Sequence, residues 1–184
     1  MLYFNFEPFP VLSTPRLSLR KIQEKDVEDL FVMRSNKEVM KFIPRPVAQQ
    51  KEDVLSLIEQ INNGISKNES INWGIALKES DHLIGTIGYV RSKPEHHRAE
   101  VGYMLNPLFH GQNLTYEALG EVIRFGFTQM KLHSIEAIID PRNIASEKLL
   151  LKCNFNKEAH LKENVFWNNE YSDSVIYTLL NKVH

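Results

Sequence analysis

The hydrophobic period of this chain changes in its middle, and this change most constrains the fold. Three β-rich runs, at Ile71–Leu77, Leu83–Val90 and Arg98–Leu105, follow one another with short polar links. From Leu114 onward the apolar spacing becomes helical, after a turn at Pro107. Consecutive strands joined by short links are typical of an antiparallel meander. The centre of the chain therefore predicts a meander whose last strand leads through a turn into an amphipathic helix.

The flanking segments repeat the same two periods, and together with the centre they predict an α+β fold. The predicted flanking elements are a strand at Arg16–Arg20, a short helix capped by Asp26, a helix from Val54 to about Gly64, a strand at Ser134–Ile139, a helix at Asn143–Cys153, and a closing hairpin of Asn164–Trp167 and Ser174–Leu180. The polar sequence 168–170 predicts the turn of this hairpin.

Length, charge and cysteine content exclude several classes of protein. The 184 residues suit one domain, which we take to be 1–184. With 22 Lys plus Arg against 23 Asp plus Glu, the net charge of −1 gives no electrostatic basis for nucleic-acid binding. The apolar runs are too short to span a membrane, and residues 1–11 do not resemble a secretion signal. A single cysteine, Cys153, cannot form an internal disulfide. We expect a cytoplasmic protein without nucleic-acid or membrane partners.

The loop before the central helix is the most informative segment. Pro107 turns the chain after the strand, Gly111 lies in the loop, and the helix begins at about Leu114. The first amide groups of a helix have no partners within it and lie at the positive end of its dipole, which suits a phosphate ligand. The alternative is that Asn113 caps the helix and Gly111 only serves a turn. The Gly-Lys-Ser/Thr sequence of P-loop nucleotide-binding proteins is absent.

Together with its flanks, this loop resembles that of the GNAT superfamily of acetyl-coenzyme A (acetyl-CoA) dependent N-acetyltransferases. Gly111 matches the first glycine of the family's diphosphate loop, and Leu114 with 117–119 matches the start of the following helix. Asn113 occupies the place of the usual second glycine, and Leu108 replaces the usual Arg or Gln. Because Asn adopts positive φ more readily than other non-glycine residues, the loop can keep its shape.

The resemblance extends from Ser13 to Leu180. The opening strand 14–20 resembles the branch that contains ribosomal-protein N-terminal and spermidine acetyltransferases, and Asn143 to Ser146 resembles its Asn-x-x-Ser element. Asn154 replaces the glycine that ends the following helix and is expected at a left-handed C-terminal cap. The resemblance implies a three-layer α/β fold, with about four helices on both faces of a mixed, mostly antiparallel central sheet of about seven strands.

The resemblance also implies acetyl-CoA as the co-substrate, without a metal. Neither the adjacent histidines His96 and His97 nor His110 has the spacing of a metal site. The residues that the resemblance places at the coenzyme are Met104, Leu105, His110, Gly111, Gln112, Asn113, Leu114, Thr115 and Asn143. Among these, the backbone amides of Met104 and Leu105 are expected to become free where two strands splay apart, and Asn143 is expected to hold the pantetheine arm.

Attack of an amine on a thioester requires a proton acceptor and a proton donor for the departing thiolate. The resemblance implies Glu100 as the base, often acting through water. Glu100 can instead be a surface residue, or be paired with Arg98 or a neighbouring strand. The resemblance implies Ser146 as the proton donor. The alternative is that Asn143 caps the helix and Ser146 is only its third residue.

A primary amine is the expected acceptor, and the branch favours a protein α-amine such as a ribosomal-protein N-terminus. An α-amine has a pKa near ~8 and a lysine amine near ~10.4, so neutralising the lysine at pH 7 costs about 3 kcal/mol more. Polyamines or other small amines are the alternative acceptors. A non-catalytic coenzyme A binding or sensor module is the alternative of another class. A homodimer is possible for a protein of this family.

Overall fold

The computed structural model describes residues 2–182 and contains one eight-stranded sheet with five α-helices in that part of the chain. The strands are β1 (Leu12–Ser13), β2 (Leu17–Lys21), β3 (Ile71–Leu77), β4 (Leu83–Lys93), β5 (Arg98–Leu105), β6 (Ser134–Ile139), β7 (Asn156–Trp167) and β8 (Glu170–Leu180). The helices are α1 (Val27–Arg34), α2 (Lys37–Met40), α3 (Lys51–Ser66), α4 (Leu114–Thr128) and α5 (Ile144–Lys152).

The strand order is β1-β2-β3-β4-β5-β6-β8-β7, and every neighbouring pair is antiparallel except β5 and β6. The predicted mixed, mostly antiparallel sheet is thus confirmed. β3, β5 and β6 have the bounds that hydrophobic period predicts. Among residues 2–182, the sheet has one strand more than the predicted seven, and there is one α-helix more than the predicted four. The two short elements β1 and α2 hold too few residues to show a period.

The parallel pair β5 and β6 separates along its length. Arg98, Ala99 and Glu100 pair with residues 134–136, and no pairing continues beyond them. β5 nevertheless runs on to Leu105 and β6 to Ile139. The strands therefore open into a wedge after Glu100, as the resemblance implies. Because parallel strands end at the same edge of the sheet, α4 and α5 both begin at the open end of this wedge.

Two apolar clusters hold the helices against the sheet. The larger one joins α4 to the sheet, where the Trp73 ring contacts Phe125 edge-on and the Tyr89 hydroxyl donates to the Val122 carbonyl. The smaller one joins α1 and α3 to β4 and β5 and includes Met104. Tyr103 packs against the larger cluster instead. Successive residues of β5 thus face opposite layers, as strand alternation requires.

Two local predictions need correction. The closing hairpin is much longer than predicted, because β7 is an edge strand exposed along most of its length and therefore shows no alternation. Asp26 does precede α1, but its side chain makes no capping bond. Its carboxylate accepts from the backbone of Gln23 and from the guanidinium of Arg20, each at 2.8 Å. By contrast, Asn154 has φ 63° after α5, as a left-handed cap requires.

Within residues 2–182, none of the helices has the length and apolar character needed to cross a bilayer.

Candidate active site

The loop before α4 has the backbone shape that the resemblance requires. Gly111 has φ 76°, and Asn113 has φ 58° and ψ 18°, in the left-handed region. The Asn113 side chain makes no capping hydrogen bond to the helix, so the capping alternative for Asn113 is wrong. Its amide oxygen instead accepts from Lys152 Nζ at 2.9 Å. The first-turn amides of α4 are therefore not satisfied by this side chain and can bind a ligand.

Side chains from the start of the sheet hold this loop in place. Glu117, in the first turn of α4, accepts from Thr14 Oγ1 and from the backbone and side chain of Arg16. Arg16 also donates to the Gln112 carbonyl at 3.1 Å. Burial opposes ionisation of Glu117, but these hydrogen bonds outweigh it and lower the pKa of Glu117. His110 is held by its ring nitrogen Nε2, 3.1 Å from the Leu105 carbonyl.

Lys152 brings positive charge to the loop from the end of α5. Its ammonium lies 4.4 Å from the centre of the Tyr116 ring and bonds to Asn113. It also lines a cavity of about 370 Å³ between α4 and the end of α5, together with Tyr116, Gly120 and Cys153. Sequence reasoning missed Lys152, because nothing in the sequence pairs it with a loop 39 residues earlier.

The start of α5 carries the Asn-x-x-Ser residues. The Asn143 side chain accepts from the Ser146 backbone amide at 3.1 Å, so Asn143 does cap the helix. The Ser146 hydroxyl is buried and lies 2.6 Å from the hydroxyl of Tyr103 on β5. The cap uses the Ser146 backbone amide, so the Ser146 hydroxyl is left to bond with Tyr103 of β5. Sequence reasoning missed Tyr103 as a site residue. It comes directly before Met104 and therefore lies on the opposite face of β5.

Burial sets the protonation of the groups beside this serine. It raises the pKa of Tyr103 to about 12, although the hydrogen bond with Ser146 lowers this pKa by a smaller amount. Burial also raises the pKa of the Cys153 thiol to about 11. Both groups are therefore protonated at neutral pH. A protonated thiol is a poor nucleophile, so Cys153 is not suited to attack the acetyl group.

Glu100 lies at the vertex of the wedge, as the last residue of β5 that pairs with β6. Its buried carboxylate accepts two hydrogen bonds from Arg91, at 2.6 and 2.7 Å. A bulge at Val90 shifts the register of β4 and places Arg91 opposite Glu100. The hydrogen bond to Glu100 raises the pKa of Arg91. Glu100 is therefore paired with a neighbouring strand, whereas pairing with Arg98 is wrong because Arg98 contacts Glu136.

The structure brings the predicted residues together in two groups. The loop group consists of His110, Gly111, Gln112, Asn113, Leu114 and Thr115, between the end of β5 and the first turn of α4. The wedge group consists of Glu100, Met104, Leu105, Asn143 and Ser146, at β5 and the start of α5. Met104 and Leu105 pair with β4 on one side and are not paired with β6 on the other.

A wedge between parallel strands beside an uncapped helix start is the arrangement that the resemblance to GNAT acetyltransferases implies. The family model described as the acetyltransferase (GNAT) domain matches residues 16–156, and the chain belongs to this family. It is 33% identical over 172 residues to the uncharacterized N-acetyltransferase YoaA of Bacillus subtilis, covering 94% of this chain and 97% of YoaA.

The predicted branch also appears among the relatives. Spermidine N(1)-acetyltransferase of Vibrio cholerae is 23% identical, over 86% of this chain and 89% of that protein. The ribosomal protein uS5-alanine N-acetyltransferase of Escherichia coli is 25% identical, over 65% of this chain and 62% of that enzyme. The relatives thus include both acceptor classes that the sequence leaves open.

Solved structures confirm the fold. A GNAT acetyltransferase from Bacillus anthracis has a TM-score of 0.83 at 28% identity, covering 93% of this chain and 98% of its own. The ribosomal L7/L12 alpha-N-protein acetyltransferase in complex with coenzyme A has a TM-score of 0.86 at 17% identity, covering 95% and 100%. The predictions of an enzyme and of acetyl-CoA as its co-substrate are confirmed at the level of this family. Within residues 2–182, no group of three or more His, Cys, Asp or Glu side chains could hold a metal ion.

Proposed function

We propose that this acetyltransferase transfers acetyl to a protein N-terminal α-amine, by direct attack in a ternary complex with acetyl-CoA. The observation that carries the proposal is the wedge between β5 and β6, with the uncapped start of α4 and the buried Ser146 hydroxyl beside it. This arrangement offers one site for a diphosphate and a second for the reacting thioester.

The loop group is proposed to hold the diphosphate of the coenzyme. The first-turn amides of α4 are not capped by Asn113 and can donate to an anion, and Lys152 adds a cation. The pantetheine arm is proposed to continue the sheet in the wedge, hydrogen-bonded to the backbone of Met104 and Leu105. Asn143 accepts with its oxygen in the cap, so its NH₂ group remains available as a donor to the arm.

Glu100 is proposed as the proton acceptor, acting through water. A carboxylate has about four acceptor positions, and the bidentate contact with Arg91 uses two of them. The remaining positions can accept from a water that bridges to the amine. The amine nitrogen forms a bond to the acetyl carbon, the carbon–sulfur bond breaks, and the amine's proton passes through water to Glu100.

Ser146 is proposed as the proton donor to the thiolate. Its hydroxyl lies on the wedge side of α5 and is 2.6 Å from Tyr103. When Ser146 gives its proton to sulfur, Tyr103 can donate a hydrogen bond to the serine oxygen and stabilise the charge that develops there. Tyr103 thereby acts through Ser146, as a positioning residue.

The acceptor is proposed as an α-amine rather than a polyamine. Relatives of both kinds share the fold, so the argument comes from the cost of neutralising the amine, which is about 3 kcal/mol lower for an α-amine than for a lysine-like amine. Polyamines, and small amines in general, are the alternative. A single domain of 1–184, a cytoplasmic location and a homodimer stay predictions.

The test is a calorimetric titration with acetyl-CoA, followed by thiol release with a panel of N-terminal peptides, polyamines and aminoglycosides. We expect binding of acetyl-CoA and turnover with peptides. Turnover with polyamines alone would move the acceptor to the small-amine class. Binding without turnover on any acceptor would favour the coenzyme A sensor.

A further inference from the structure

Two arginines differ from all others in their surroundings. Of the eight arginines of the sequence, six form an ion pair with a carboxylate: Arg16, Arg20, Arg91, Arg98, Arg124 and Arg142. In the part of the chain that the structure describes, neither Arg34 nor Arg45 has a carboxylate within ion-pair distance. The loop that carries Arg45 is hydrogen-bonded to the Arg34 carbonyl, so the two positive charges lie near each other and repel.

Arg34 is placed where an apolar residue is normally found. It ends α1, four residues after the buried Leu30 and seven after Val27, and so continues the stripe by which α1 packs on the sheet. Its side chain is half-buried. A guanidinium withdrawn from water without an anion is unfavourable, and the burial first, then the charge of Arg45, lower the pKa of Arg34.

The loop that carries Arg45 is held against the end of α1. The Ala48 amide donates to the Arg34 carbonyl at 3.0 Å, and prolines on both sides of Arg45 restrict its backbone. The loop between α2 and α3, residues 41–50, contains two basic residues and no acidic one. Asp53 at the start of α3 is already used, since it accepts from the backbone of Gln49.

The elements that carry this basic pair pack on the layer of the sheet that contains the Met104 side chain. Met33, adjacent to Arg34, packs in the same small apolar cluster as Met104, whose backbone we place at the thioester. The loop residues Ile43 and Val47, on either side of Arg45, pack against that cluster too. A molecule whose amine reaches the wedge along this surface therefore passes the two guanidinium groups.

We infer that Arg34 and Arg45 bind a carboxylate of the acceptor, so that the preferred acceptor is a polypeptide with acidic residues close to its N-terminal amine. This inference rests on the proposed function and narrows its substrate class. Guanidinium groups bind carboxylates through paired, charge-assisted hydrogen bonds, and one anion between two arginines also relieves their repulsion. A polyamine brings only positive charge to the same place and is disfavoured there.

The experiment measures binding rather than turnover. The coenzyme A-saturated protein is titrated calorimetrically with a short peptide that begins Ala-Asp-Glu and with its neutral match that begins Ala-Asn-Gln. We expect about tenfold tighter binding of the acidic peptide. Arg45→Gln, which changes an exposed side chain, is expected to bring the two affinities to within about twofold, because the charge-assisted bonds are lost. Arg124→Gln on α4 is the matched control and should keep the tenfold preference.

Further arms separate the other outcomes. Arg34→Met keeps an apolar side chain on the face by which α1 packs on the sheet. Like Arg45→Gln, it should lose the preference for the acidic peptide over the neutral one. If free glutamate binds as tightly as the acidic peptide and depends equally on Arg45, the carboxylate comes from a small amino acid and the polypeptide assignment is overturned. A preference that survives in Arg45→Gln, or no preference in the unmodified protein, overturns the whole inference. Thiol release is then measured with the acidic peptide and acetyl-CoA. Binding that depends on Arg45 without thiol release supports the anion site and contradicts the proposed function.

Discussion

Helices α4 and α5 both begin at the open end of the wedge, and both have asparagine at the N-cap, yet the two asparagines act differently. Asn113 before α4 has φ 58°, and its side chain turns away to Lys152. Asn143 before α5 has φ −83°, and its side chain folds back to accept from the Ser146 amide. The same residue type therefore leaves one helix start uncapped and caps the other.

The difference shows that backbone conformation, rather than residue type, decides what a helix start offers to a ligand. A left-handed residue at the N-cap directs its side chain away from the first turn, so the main-chain amides stay available. In a capped start, one main-chain amide bonds to the capping side chain and is not available to a ligand. The cap stabilises the first turn and so fixes the side chains in it. By this division, α4 presents amides for an anion and α5 presents the Ser146 hydroxyl for proton transfer.

The largest effect is expected from removing that hydroxyl. Ser146→Ala should lower kcat by about 100-fold, in the range of lost general-acid catalysis, while the affinity for acetyl-CoA changes little. Asn143 caps through the Ser146 backbone amide, so the cap survives this substitution. Single-turnover kinetics at saturating acetyl-CoA measure the chemical step. Unchanged turnover would leave Ser146 as an ordinary residue of a capped helix.

Tyr103→Phe is the companion variant. It removes the hydroxyl that lies 2.6 Å from Ser146 but keeps the ring. A positioning role predicts a smaller loss than that of Ser146→Ala, and little further loss when both substitutions are combined. A larger loss in Tyr103→Phe than in Ser146→Ala would make tyrosine the donor itself.

The second largest effect is expected on the affinity for coenzyme A, when a negative charge is placed at the N-cap of either helix. Asp tolerates the left-handed conformation and caps as well as Asn, so neither Asn113→Asp nor Asn143→Asp should disturb folding. Only Asn113→Asp puts a negative charge beside the proposed diphosphate and beside Lys152. We expect its Kd for coenzyme A to rise about 30-fold, or ~2 kcal/mol, in low salt. Asn143→Asp loses only the NH₂ donor to the pantetheine arm, so its Kd should rise by about threefold. Calorimetry of both variants checks this, and equal losses would contradict the division between the helices.

A smaller effect is expected at Glu100, between the two helix starts. Glu100→Gln keeps a hydrogen-bond acceptor for Arg91 but cannot take up a proton, so kcat should fall about tenfold with unchanged affinity for acetyl-CoA. The matched control is Glu136→Gln, which removes the neighbouring carboxylate that contacts Arg98 instead. Full activity of Glu100→Gln from pH 6 to 9 would remove Glu100 from the mechanism.

The sequence predicts what depends on local period and local backbone preference. β3, β5 and β6 show apolar patterns along their whole length, and their bounds were predicted. The positive φ of Asn113 and of Asn154 follows from the tolerance of asparagine for that region. β7 was predicted only in part, because an edge strand with little burial has no apolar pattern to read.

The contacts between distant residues could not be predicted in this way. A bulge at Val90 decides that Glu100 meets Arg91, and a one-residue change of register would change the partner. Lys152 reaches Asn113, and Ser146 reaches Tyr103, only because α5 packs beside α4 and β5. The family resemblance could supply the wedge and the two groups of residues, but not these partners.

The smallest effect compares one neutral substitution at both asparagines. Serine caps a helix as well as asparagine does, but it is less tolerant of positive φ. We therefore expect Asn143→Ser to change the free energy of unfolding by only a few tenths of a kcal/mol and Asn113→Ser to lower it by about 1 kcal/mol. Urea denaturation without coenzyme measures both. The opposite ranking would mean that Asn113 is not held in the left-handed conformation in solution. The start of α4 would then not be uncapped, and its amides would not be available to a ligand.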